Sequence, residues 1–290
     1  MKQWRTTTIE RAWNEAYDLL SSAPETDAER ERRVFTEFLQ RDAEPQKLAI
    51  QDVFGKRLSQ CNIEVTVPGK IPRPPIYLTA HHDHDPRGTG VVDNWSGVVA
   101  LIALYDRFVA VPLQRPLVLV SFALEEFGEY GSTVGSRHYV QRLLDQAVHA
   151  NVNLECLGPG PVHYWTYEDT GIPVPRNVPQ ANYHGLPSDA RSFYDILDCP
   201  AIVFDGIAAI SDNIIHTARD TIDAIDRQHY ERSLDQIENY VRMLDSWTAD
   251  RSYRNRRPTR DRETANSHES TRPMKTRTLR VRREITPDPT

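Results

Sequence analysis

Cysteine is scarce in this chain, with three among 290 residues: Cys61, Cys156 and Cys199, far apart and without a C-x-x-C pair. So odd and scattered a set is no disulfide framework, and buried free thiols suit a reducing compartment. No run of about 18 apolar residues occurs, so nothing here is expected to span a membrane. The opening MKQWRTTTIERAWNEAYDLL lacks the apolar stretch and small-residue cleavage site of a secretory signal, which makes cytoplasm the expected compartment. Internal repeats and a second domain are also missing.

What is there is an ordinary globular composition, 39% hydrophobic and 26% charged, long enough for one good-sized α/β domain with tails. The net charge of −6 is uneven. Residues 251–290 carry 12 Lys/Arg against 5 Asp/Glu, a net +7 that leaves −13 on residues 1–250. That tail is rich in Arg, Thr and Pro and poor in large apolar residues, so it cannot bury enough surface to offset the entropy of ordering. It is expected to be a disordered, solvated appendage. No aromatic or RNA-recognition pattern accompanies its charges, so nucleic acid is not the expected partner. The organisation that follows is an N-terminal helical segment over residues 1–44 packing on the domain, a domain over 45–249, and the basic tail over 250–290.

Helical apolar spacing covers residues 9–21 and 27–41, and Ala49 to Leu58 reads as a third helix. CNIEVTV (61–67) alternates as a strand does, and IYLTA (76–80) is an apolar strand running directly into HHDHD. Residues 95–109 form a buried helix, with Asp93 or Asn94 as its cap. LVLVSFA (117–123) is a buried strand followed by Glu125 and Glu126. A helix over 133–148, a strand over 149–157, a helix over 189–198, the strand AIVFD (201–205) and a helix over 227–247 complete the pattern. Strands alternating with helices predict a three-layer α/β/α sandwich with a mixed, largely parallel central sheet.

In such a sheet, ligands bind beyond the carboxyl ends of the strands. Metal-competent residues sit there: His81-His82-Asp83-His84-Asp85 after IYLTA, Glu125-Glu126 after LVLVSFA, and Glu155 in NLECLG. Asp93 opens a helix in VVDNWSG, and His216 lies in IIHTARDTID. Each piece alone has a bland explanation as a polar turn, a solvated glutamate pair or a helix cap. Together, two histidines and three carboxylates suffice for two zinc ions if one carboxylate is shared.

The ordered strings AHHD (80–83), DNWSG (93–97), EEFGEYGS (125–132), NLECLG (153–158) and HTARDT (216–221) resemble the clan MH zinc aminopeptidases. That family groups bacterial leucyl aminopeptidases, glutamate carboxypeptidase and glutaminyl cyclase. The resemblance covers about residues 60–247 and implies the zinc exopeptidase (phosphorylase/hydrolase-like) fold, as a bare catalytic domain. It implies two Zn2+ per chain, with Asp93 bridging, His81 and Glu155 completing one site, and Glu126 and His216 completing the other. Glu125 would be the general base toward water. Asp83 would orient His81 by accepting its second N–H. A strand end alternates its side chains, so His82 points away if His81 points in. Glu155 stands where the family usually has Asp, and 12 residues separate His81 from Asp93. Asp189, in SDARSF, is expected to support the active-site loop and Asp220 to orient His216. Trp165, Tyr167 and Tyr183 would line an apolar side-chain pocket within 159–187.

The expected function is therefore hydrolysis of amino-terminal residues from peptide substrates. A glutaminyl cyclase-like acyltransferase would need only one zinc. A carboxypeptidase would need a cation for the substrate carboxylate, for which Arg176, Arg191 and Arg219 are candidates. A non-catalytic binding module would act through the basic tail. The oligomeric state has no signature in the sequence.

Overall fold

The computed structural model describes residues 2–51, 55–127, 133–167, 170–181 and 188–248, with backbone alone over 2–11. The basic tail and Tyr183 lie outside those residues. Strands β1 (Gln46–Gln51), β2 (Arg57–Val67), β3 (Ile76–His81), β4 (Leu117–Phe122), β5 (Ala150–Glu155), β6 (His163–Thr166) and β7 (Ala201–Asp205) build one sheet. Their order is β1-β2-β4-β3-β5-β7-β6. The sheet is mixed: β4, β3, β5 and β7 run parallel at its centre, and β1, β2 and β6 pair antiparallel at its sides. The central strands β3, β4, β5 and β7 are buried from end to end. Their near-continuous apolar runs follow from being covered on both faces.

Helices α1 (Lys2–Ser21), α2 (Asp27–Gln40), α3 (Ser96–Ala110) and α7 (Arg227–Ser246) share the larger apolar cluster on one face, with Ile76, Leu78, Leu119 and Val152 of the sheet. Helices α4 (Val134–Gln141) and α5 (Asp189–Leu197) cover the other face, against Tyr77, Val120 and Phe122. A four-residue α6 (Ala208–Ser211) follows β7. Alternation along β3 thus decides which layer each side chain meets. Ile76, Leu78 and Ala80 face α3, while Tyr77 faces α4 and α5.

The start of α2 is fixed by a reciprocal capping box. The Thr26 hydroxyl accepts from the Glu29 N–H, and Glu29 accepts from the Thr26 N–H, both at 3.3 Å.

Two expected elements differ. The helix expected over Ala49–Leu58 is instead the end of β1 and the start of β2, paired with Gln51 opposite Arg57. Gly55, at φ 78°, marks the reversal between them. β1 is an edge strand buried mainly at Ile50, so period-two alternation is absent and helical spacing imitates it. The helix expected over 133–148 ends at Gln141, where Arg142 and Leu143 turn into tighter bonds to carbonyls three residues back, at 3.0 and 2.9 Å.

Candidate metal centre

Three of the expected ligands leave the sheet at the same end. His81 is the last residue of β3 and Glu155 the last of β5, and Glu125 and Glu126 follow β4. Asp93 lies in the turn Val91–Trp95, where Asp93 and Asn94 depart from helical backbone angles and the peptide between them is cis. His216 follows α6. The chain turns sharply at these points: Leu124 (φ 60°), Cys156 (φ 52°) and His216 (φ 56°) are all left-handed without being glycine. Such conformations are sparsely populated and cluster at functional sites.

The geometry centres on Asp93, whose carboxylate is divided between two imidazoles. Its Oδ1 lies 3.3 Å from His81 Nε2 and its Oδ2 lies 3.2 Å from His216 Nε2. His81 Nε2 is also 3.5 Å from Glu155 Oε2, and His216 Nε2 is 2.9 Å from Glu126 Oε1. The structure thereby brings together all five expected ligands in two groups that share Asp93. Donor atoms of His81, Asp93 and Glu155 lie within 4.8 Å of one another, as do those of His81, Glu125 and Glu126. A further group joins Asp85 to Glu126 and His216.

Electrostatics reflect this crowding. Burial alone would lower His81, but its contacts to Asp83, Asp93 and Glu155 push it well above the usual histidine range. Contacts to Asp93 and Glu126 push His216 to about 10. Burial would raise Asp93, yet the His216 and His81 imidazoles hold it far below the carboxylate range. Burial pushes Glu125 well above that range, only partly opposed by His81, and it also raises Glu126 and Glu155.

Supporting residues fix these orientations. Glu155 accepts from Asn94 Nδ2 at 2.7 Å on one oxygen and from Asn153 Nδ2 at 2.6 Å on the other. Asn94 Oδ1 in turn accepts from the N–H groups of Cys156 (3.1 Å) and Gly97 (3.2 Å). It therefore joins the first turn of α3 to the ligand strand, while the cap position itself, expected at Asp93 or Asn94, is Trp95. His81 Nδ1 faces Asp83 twice, its carbonyl at 3.2 Å and its carboxylate at 3.5 Å, while Asp83 Oδ2 accepts from the Glu126 N–H at 2.8 Å. His82 points to the opposite face and meets Ser121 Oγ at 2.9 Å. Asp189, the first residue of α5, is fully buried and is pushed up to about 7 by burial, against the opposing His81.

Three expectations change. Asp220 does not orient His216. Its carboxylate accepts from the N–H groups of Val92 (2.6 Å) and Asp93 (3.3 Å), so it holds the turn that carries Asp93. The neighbour at His216 Nδ1 is Arg87, at 3.1 Å, itself paired with Asp85 at 2.7 Å. Trp165 and Tyr167, expected to wall a side-chain pocket, lie in an apolar cluster. They are buried together, with ring centroids 5.4 Å apart, against Ala190, Ala201 and Val203. Trp165 lies on β6, a strand without a clear signal in the Pro-rich stretch around it, and its Nε1 donates to Asp205 at 3.2 Å. Asp205, at the end of β7 beside Glu155, went unrecognised in the sequence because AIVFD reads simply as a strand. Burial pushes it to about 8.

The donor set suits a metal pair. Two imidazoles and three carboxylates are the nitrogen and oxygen ligands that zinc takes, and burying so many carboxylates together demands compensating positive charge. His81 and Glu155 are held from behind in the way metal ligands are, by Asp83 and by Asn94 with Asn153, while Asp220 and Asp83 hold the backbone N–H groups of Asp93 and Glu126.

Residues 62–172 match the family model for Peptidase family M28. Aminopeptidase YwaD of Bacillus subtilis is 32% identical over 109 residues, which are 36% of this chain and 23% of that protein. The chain spans less than a quarter of the length of the curated relatives it matches. Among solved structures, BSAP, a zinc aminopeptidase from Bacillus subtilis, is 21% identical with a TM-score of 0.55, over 67% of this chain and 54% of that one. Porphyromonas gingivalis glutaminyl cyclase is 17% identical with a TM-score of 0.66, over 79% of this chain and 97% of that one. At these identities the two structures share its fold.

Proposed function

We propose that this chain, whose residues 62–172 match the model of peptidase family M28, is a zinc-dependent aminopeptidase that binds two metal ions and acts on the amino-terminal residues of peptides. The observation that carries this reading is the division of one carboxylate, Asp93, between His81 and His216. Asp93 would be shared by the two ions, with His81 and Glu155 on one side and Glu126 and His216 on the other. Zinc in such a site lowers the pKa of water to about 7 and polarises a carbonyl.

The chain's own residues supply the rest. Glu125, buried beside His81 and Glu126, would take a proton from water as it attacks the scissile carbonyl and pass that proton to the leaving amine. Asp83 holds the His81 ring from behind, and Asn94 and Asn153 hold Glu155. Asp220 holds the backbone at Asp93. Two of the arginines considered for capture of a substrate carboxylate are engaged elsewhere: Arg191 with Asp195 at 3.1 Å and Arg219 with the Asp212 carbonyl at 2.7 Å. Purified protein is expected to bind close to two zinc equivalents, and chelation is expected to abolish hydrolysis of aminoacyl substrates until zinc is restored. A protein that holds no metal after reconstitution would overturn the reading. One equivalent together with cyclisation of amino-terminal Gln would replace it with the cyclase.

A further inference from the structure

The segment His82–Gly90, which separates His81 from Asp93, is closed at its neck by one side chain from outside the family-matched residues. Arg30, on α2, is fully buried. Its Nη1 donates to the Gly90 carbonyl at 3.0 Å and reaches the His82 carbonyl at 3.5 Å, and its Nη2 donates to the Thr89 carbonyl. Its Nε donates to the Pro24 carbonyl at 3.0 Å, and the guanidinium lies 5.6 Å from the centre of the Trp95 ring. Both ends of the segment are therefore tied to a single planar group.

Around it the fit is tight. Gly90 is left-handed at φ 61°, and a Cβ there would lie 2.4 Å from His84 Cβ and 3.0 Å from Arg30 Nη1. Asp27, one turn earlier on α2, accepts at 2.8 Å from His84 Nδ1 inside the segment and at 2.9 Å from Gln60 on β2. Glu31 ties the same helix to the Cys61 N–H at 2.8 Å. The clamp is thus seated on the sheet. A buried cation whose hydrogen bonds to the described residues end on carbonyls is expensive to desolvate. Burial pushes Arg30 down to about 10, with Asp27, Asp220, Asp83 and Asp93 opposing, so it stays charged at neutral pH. Arginine suits the place because its rigid fork can serve several carbonyls at once, whereas lysine is a point charge on a flexible stem.

We propose that Arg30 is a positioning residue of the metal centre: by joining the carbonyls of His82, Thr89 and Gly90 it sets the spacing of His81 and Asp93, which makes the N-terminal helices part of the site. The inference rests on the metallopeptidase reading. Its test compares full-length protein with Arg30→Met, Arg30→Lys and a control, Val34→Ala, which removes buried apolar volume one turn further along α2. Zinc affinity is read by competition with a chromophoric chelator, and folding by circular dichroism and melting. Arg30→Met is expected to weaken zinc binding by roughly 10–100-fold, as substitution of a ligand's supporting partner does. Arg30→Lys, with charge but no fork, should fall in between. Val34→Ala should lower the melting temperature and leave the zinc Kd unchanged. Folded Arg30 variants with the Kd of the unaltered protein would overturn the inference, as would a matching loss in Val34→Ala. If Arg30→Met does not fold, an unchanged Kd in Arg30→Lys overturns it equally. Failure of the unaltered protein to bind zinc would instead sink the metallopeptidase reading, and this inference with it.

Discussion

Glu125→Gln is expected to lower turnover by roughly 10²–10⁴-fold, the scale of losing a general base, with metal content unchanged. The amide keeps the length and hydrogen-bonding reach of the side chain and removes only its basicity. Glu125 is nearly buried, and its carboxylate lies within 4.8 Å of donor atoms of His81 and Glu126. Its neighbour Glu126 has a different place: its N–H is held by Asp83 and its Oε1 faces His216 at 2.9 Å. The two adjacent glutamates are therefore separable. Steady-state rates on an aminoacyl substrate, with zinc measured on the same sample, check the expectation. Near-normal turnover in a metal-loaded Glu125→Gln protein would refute the proposed role.

Asp93→Asn should be more damaging, because it strikes both ions at once. Each oxygen of Asp93 addresses a different imidazole, at 3.3 and 3.2 Å. An amide leaves one oxygen and turns the other position into a donor, which cannot ligate a cation. Zinc content is expected to fall below two equivalents and activity to fall to background. Affinity should drop by more than the roughly 10–100-fold typical of losing a ligand's supporting partner. The backbone should stay in place, since Asp220 holds the N–H groups of Val92 and Asp93 independently of the side chain. Elemental analysis showing two tightly held zinc ions in folded Asp93→Asn protein would rule out a shared carboxylate.

What could be read from the sequence followed physical symmetry. Strands β3, β4, β5 and β7 are covered on both faces, so IYLTA, LVLVSFA and AIVFD announce themselves as apolar runs bounded by polar residues. β1 has one partly buried face at the sheet edge, and its residues fit a helical spacing as well as a strand. β6 is four residues long inside a Pro-rich stretch, too short for any period to show. His81, Glu126, Glu155 and Asp93 were legible because they end or follow a strand or precede a helix, where polarity changes abruptly, whereas His216 stands in a loop after α6 and showed only through the string HTARDT. Their supports were not. Asn94 resembles any helix cap until its amide is seen on Glu155, and Asp220 carries no mark that distinguishes the N–H of Asp93 from the ring of His216 as its target. Arg30 is one of several arginines in DAERERRVFTEFLQ, and only the fold reveals that it alone of these is fully buried.

His81, Asp93, Glu126, Glu155 and His216 are drawn from five separate parts of the chain, and the strands that carry or precede three of them meet only when the central sheet has formed. No short stretch of the unfolded polypeptide holds such a site, so ions bound there act as cross-links that exist in the native state alone. Free zinc then becomes a variable of the folding equilibrium. At a hundredfold excess over its Kd, one bound ion adds about 2.7 kcal/mol to stability. Melting temperatures taken against buffered free zinc should climb accordingly, and a melting temperature indifferent to zinc would mean that the native chain holds no such ion.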